Sequence, residues 1–254
     1  MEGGSADRSA DLRTDPGTDS GSFSPWSPRS ALGLVAMAFA LSLLAGAVVA
    51  AIGETGWASA ARALAAGGIL LGMYGVLLAI VWGSTAIRGA RFADAVGFQK
   101  APGARWYAAG LGAALLGWLF SVGFIALLTA CGMDAPREDL AVFRVLPGGP
   151  LGVTLTVLLL VVIAPIAEEV VYRGVLLSAL TDRWGPLVGL AVSAVVFSAV
   201  HLSPVGFVPL AVAGVLFGWL YMKSRSLWVA LVAHAAYNAL GVLALFASKT
   251  SGLL

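Results

Sequence analysis

Apolar and polar positions do not alternate in this chain. Apolar residues run in long blocks with no charge on any face, separated by short clusters of Arg, Asp, Pro and Gly. A helix needs about 20 apolar residues to cross the hydrocarbon core of a bilayer. One that is apolar around its whole circumference is surrounded by lipid or by other helices. The charge-free windows predict spans over Ala31–Ile52, Ala63–Ile87, Trp106–Met133 and Val145–Ala167, the last running directly into Glu168. The window Trp184–Met222 holds no Asp, Glu, Lys or Arg over 39 residues. As one helix it would be about 58 Å long, roughly twice the hydrocarbon core. Ser203-Pro204 and Pro209 offer a break, which gives Trp184–Leu202 and Gly206–Met222, and Ser226–Ser248 completes the set. The expected fold is an all-α polytopic transmembrane bundle of about seven spans. The range is six to eight, because the second half of the fourth helix, through Leu180, reads either way.

Residues 1–30 break this pattern. They are rich in Ser, Gly, Asp and Pro and cannot bury enough apolar surface to fold, so a disordered N-terminal tail is expected there. No apolar run follows the start directly, so it does not read as a signal peptide, and the first span is expected to be retained. The domain reading is then a tail over 1–30, N-terminal transmembrane helices over 31–145, and a C-terminal helical core over 146–248.

Composition agrees with the spans. Of 254 residues, 59% are hydrophobic and 11% charged, against about 25% charged in soluble domains, and the mean hydropathy is +0.93. A net charge of +2, with no basic stripe or aromatic platform, gives no reason to expect nucleic-acid binding. Cys131 is the only cysteine, which excludes an intrachain disulfide and a cysteine metal cluster; it reads as a small packing residue. With the N-terminus inside, ten Lys and Arg fall on the inner side and four, Arg62, Arg137, Arg144 and Lys249, on the outer. That bias predicts an N-in orientation in a membrane, and the composition suggests the bacterial cytoplasmic membrane. Trp57, Trp82, Trp106, Trp184 and Trp228 fall near span ends, where an interfacial belt would place them.

Against this background the polar residues of the second half stand out. Ionisable groups within spans cost roughly 2.5–3.5 kcal/mol each on the insertion scale and are usually functional. Glu168, Glu169 and Arg173 lie together, and Glu169 and Arg173 are four apart, which puts them on one helix face as a potential ion pair. Glu168 is offset by about 100°. One carboxylate can thus be held while the other faces a cavity, the arrangement that general acid/base chemistry needs. The only two histidines, His201 and His234, lie in apolar windows, and the only asparagine, Asn238, follows His234 by one turn. Singly, each has a bland reading: an interfacial glutamate pair, a hydrogen-bonded histidine, an asparagine joining helices. As an ordered set on three spans they read as an active site.

Glu168-Glu169…Arg173, Phe197…His201 and His234…Asn238 match E-E-x-x-x-R, F-x-x-x-H and H-x-x-x-N. On these motifs the chain resembles the CPBP family, the CAAX-prenyl-protease-like or Abi membrane proteins, over about Leu151–Ala247. The resemblance implies a hydrolase: an intramembrane endopeptidase acting on a membrane-associated peptide or protein, with lipid as its other partner. By position, Glu168 would be the base that activates water, with His201 as its partner. His234 and Asn238 would position water or hold the oxyanion, and Arg173 would orient Glu169. Because the family is often called metalloprotease, Zn²⁺ on His201, His234 and Glu168 is one expectation. The H-E-x-x-H zinc helix is absent, however, so the cofactor expectation is none or Zn²⁺, with the metal-free form preferred. The alternatives are a multi-span transporter, against which no second copy of the motif appears in the first half, and a non-catalytic immunity or scaffold protein of the same fold. If the site is real, Glu168, His201 and His234 must converge. Their heights along the expected helices, about 18, 26 and 12 Å, require tilt or a re-entrant start to bring them level.

Overall fold

In the computed structural model of the chain, residues 24–98, 102–133 and 150–250 are described. The expected tail over 1–23 and the expected start of the fourth span at Val145 lie outside the described residues. The described elements are all helices: α1 (Pro28–Gly53), α2 (Ser59–Ile87), the short α3 (Phe92–Val96), α4 (Ala104–Ala130), α5 (Leu151–Trp184), α6 (Pro186–Ala199), α7 (Phe207–Ser224) and α8 (Leu227–Thr250). Six of them are long and apolar enough to cross a membrane, and α6 is a shorter apolar helix of 14 residues. The seven apolar helices expected are therefore present. The outer surface is apolar: Leu116 and Leu44 are 66% and 62% exposed, as lipid-facing side chains would be.

Order begins earlier than the expected tail boundary. Ser27 caps α1 by accepting from the Ser30 N–H, and Pro28 sits at its first turn, where a missing N–H costs nothing. Trp26 is buried, its indole N–H donating to Ser84 Oγ of α2 at 3.0 Å. The Ser24 N–H reaches Asp182 at the far end of α5. Composition alone missed this because one large aromatic anchors a segment that is otherwise small and polar. Cys131 also departs from expectation: α4 ends at Ala130, which leaves the thiol exposed rather than packed.

The ambiguous fourth helix is a single helix. α5 runs 34 residues, about 50 Å at 1.5 Å per residue, and it is interrupted by two π-helical segments, Val157–Ile163 and Val170–Leu177. Between them, a short α-helical stretch, Ala164–Glu169, ends on the two glutamates. α5 is the axis of the bundle. α1, α2 and α3 pack against it, as do α6, α7 and α8, and α4 closes against α7 and α8. Every residue from Glu169 to Leu180 is buried. Small residues permit the close packing. A Cβ on Gly174 would lie 2.8 Å from Val96 Cβ, so α3 rests directly on the α5 backbone.

The heights are reconciled by where helices begin. α5 continues to Trp184, past the end expected at Leu180. α8 starts inside the bundle: Ser226 and Leu227 are fully buried, and the Leu227 N–H donates to the Gly97 carbonyl at 2.9 Å. His234 is thereby raised to the level of the glutamates.

Candidate active site

The polar centre is built around Glu169. It is fully buried, and its Oε1 accepts from Arg173 Nη1 at 2.7 Å. The same oxygen accepts from His234 Nδ1, also at 2.7 Å. Its Oε2 is buried with no hydrogen-bond partner among the described residues. Arg173 is 1% exposed and lies over two aromatic rings, its guanidinium carbon 4.5 Å from the Phe197 ring centroid and 5.5 Å from that of Phe217. The expected Glu169–Arg173 pair is therefore formed, and the side chains around it hold the cation by its π contacts as well as by charge. Separating two such charges would strand one of them in an apolar interior.

His234 is held on three sides. Phe217 stacks on it at 5.2 Å, Phe197 meets it edge-on at 5.8 Å, and Glu169 takes Nδ1. A carboxylate already engaged by arginine is an acceptor, so Nδ1 carries the proton and Nε2 is the free ring nitrogen. Nε2 lies 3.8 Å from Glu168 Oε2. That is too long for a direct hydrogen bond but close enough for one small molecule to touch both. The Glu168 side chain is 22% exposed where that of Glu169 is 0%. The 100° offset read from the sequence thus appears as one carboxylate locked in the core and one with access.

His201 sits just past the end of α6 and is exposed. Its Nδ1 lies 2.7 Å from the Phe197 carbonyl; a carbonyl only accepts, so this nitrogen donates and Nε2 is left as the basic one. Its ring packs on Phe197 at 4.9 Å, so Phe197 stands between the two imidazoles. His234, rather than His201, is the imidazole found beside Glu168. Asn238 donates its side-chain amide to the Leu160 carbonyl of α5 at 2.8 Å. Among the described residues no group of three His, Cys, Asp or Glu is placed to hold a metal ion, so Glu168, His201 and His234 do not form a three-ligand zinc set.

Sequence reasoning missed Phe217, which stacks on His234 and covers Arg173, because one phenylalanine among many apolar residues carries no signal. It also missed the π segments. Their one visible trace is Pro165 inside an apolar helix, three residues before Glu168. The loosened carbonyls of the second segment are taken up by hydroxyls: Ser193 donates to Tyr172 and Ser178 to Arg173. Beside the site, an open apolar recess of about 390 Å³ is lined by Leu78, Trp82, Phe92, Phe98, Ile166 and Val170.

Residues 150–240 match the family described as type II CAAX prenyl endopeptidase Rce1-like. The chain is also 27% identical over 86 residues to a Bacillus subtilis protein named "putative membrane peptidase YdiL". That alignment covers 34% of this chain and 35% of the relative, so the likeness spans about a third of each. No solved structure matches. The family match covers all three polar motifs, so over this segment the chain is similar to CAAX-prenyl-endopeptidase-like membrane peptidases.

Proposed function

We propose that the chain is an intramembrane endopeptidase in which Glu168 activates water against a peptide bond of a membrane-associated peptide or protein. The observation that carries this reading is the unequal pair: Glu169 neutralised and buried by Arg173 and His234, Glu168 partly accessible with His234 Nε2 at 3.8 Å. A water seated against both groups would lose one proton to Glu168 as it attacks the carbonyl carbon. The same proton would then pass to the leaving amine. His234, fixed by Glu169, faces this water with Nε2 and can donate to the developing oxyanion when protonated. His201, exposed on the other side of Phe197, is suited to contact the substrate backbone. Glu169 is already engaged, because both the Arg173 cation and the imidazole N–H bind its Oε1. No step is routed through a metal.

The membrane setting makes a membrane-embedded or lipid-bound peptide the substrate class, and an N-in orientation is proposed from the Lys/Arg bias. The test is a comparison of cleaved N-termini in membranes carrying the wild type or Glu168→Gln. The reading expects a set of cleavages present only with the wild type. Identical N-terminal profiles, with both proteins folded and equally abundant, would remove the peptidase assignment.

A further inference from the structure

Asn238 lies one turn beyond His234, yet its side-chain amide is committed to the backbone of α5, at the Leu160 carbonyl. The backbone of α5 explains why that carbonyl needs a partner. Within Val157–Ile163 the helix has π-type pairing, and the Ala164 N–H bonds the Leu159 carbonyl, five residues back. The next donor in that register, the one that would serve Leu160, belongs to residue 165. That residue is proline, which has no N–H. Leu160 is therefore the carbonyl that the helix cannot satisfy by itself, and a carbonyl left unpaired within an apolar span is costly.

We propose that Asn238 is a positioning residue that replaces the missing Pro165 N–H, and that it acts on the site by pinning α8 to the π segment of α5 that precedes the short helical stretch carrying the two glutamates. This rests on reading the Glu168–His234 centre as a hydrolytic site. The pin sits one α8 turn from His234 and eight residues before Glu168 on the same helix, so it bears on both halves of the 3.8 Å approach between them. Asn238 is then needed for the register of the helices rather than for contact with substrate, and the proline and the asparagine form one device.

The test is a double-mutant cycle in detergent on the full chain, with wild type, Asn238→Ala, Pro165→Ala and the double variant. Thermal midpoints are measured for each. Cleavage is measured with internally quenched peptides bearing or lacking a prenylated cysteine. Asn238→Ala lowers the midpoint by about 2–6 °C and cuts cleavage about tenfold or more, as a shift in a positioned group does. Pro165→Ala restores a backbone donor for Leu160, so in that background Asn238→Ala costs little in either measurement. Where Asn238→Ala alone does not fold, recovery of folded protein in the double variant is the same result. An equal loss of cleavage from Asn238→Ala in both backgrounds would show that the amide acts on substrate and would overturn the inference. An unchanged melting penalty in both backgrounds would also overturn it. If the wild type cleaves none of the peptides, the hydrolytic reading fails on its own, and the melting cycle still decides the role of Asn238.

Discussion

At the scale of single residues, two carboxylates adjacent in sequence have opposite environments, and the backbone sets the difference. Glu169 faces Arg173 one turn on and His234 across the helix interface, while Glu168 points along a neighbouring direction with partial access. The ion pair was legible in the i, i+4 spacing alone. The choice of His234 over His201 as the neighbour of Glu168 was not, because it depends on where α8 starts. Arg173→Ala leaves Glu169 without its cation in a site with no exposure, which costs about 3–5 kcal/mol. Folded yield and melting temperature in detergent should both fall, and an unchanged melting temperature would count against the pair as a structural element. His201 is exposed, and among the described residues its ring contact is with Phe197. His201→Ala should therefore leave stability within about 0.5 kcal/mol of wild type while lowering cleavage, as thermal melts and peptide assays on the same preparation will show.

At the scale of elements, the apolar windows located the helices well, since a charge-free run of span length has few alternatives in a membrane. The misplaced boundaries have specific causes. The charge-free window of the fourth span ends at Ala167, and its continuation through Leu180 reads either way because charged residues begin at Glu168; the helix runs on to Trp184 through buried π-helical turns. Hydropathy has no term for a carboxylate neutralised by a neighbour on its own helix. The π segments themselves leave no periodic signature in a helix that is apolar on every face. Close packing around α5 yields a further prediction. Gly174→Ala places a Cβ 2.8 Å from Val96 Cβ, with Val96 fully buried, so α3 has to move off α5. The expected loss is about 1–3 kcal/mol, and a shortened Val96 (Gly174→Ala with Val96→Ala) should recover part of it. No loss in thermal melts of the single variant would contradict direct backbone contact between the two elements.

For the whole molecule, the segment that matches known proteins is residues 150–240, but it is not packed alone. α1 and α2 pack against α5, α2 reaching the Ala164–Glu169 stretch that carries the glutamates, and Trp26 ties the start of α1 to α2. Nothing in the first half of the sequence signals chemistry, and the side chains that enclose the buried ion pair, Phe197, Phe217 and His234, all come from the second half. The central claim is that Glu168, and not Glu169, accepts the proton from water during peptide hydrolysis. The most direct measurement is peptide cleavage and melting temperature for Glu168→Gln and Glu169→Gln side by side in one detergent. The account predicts that Glu168→Gln melts close to the wild type and is inactive, while Glu169→Gln melts lower and keeps some activity in the fraction that folds. Near-wild-type cleavage by Glu168→Gln, with a stable but inactive Glu169→Gln, would contradict it.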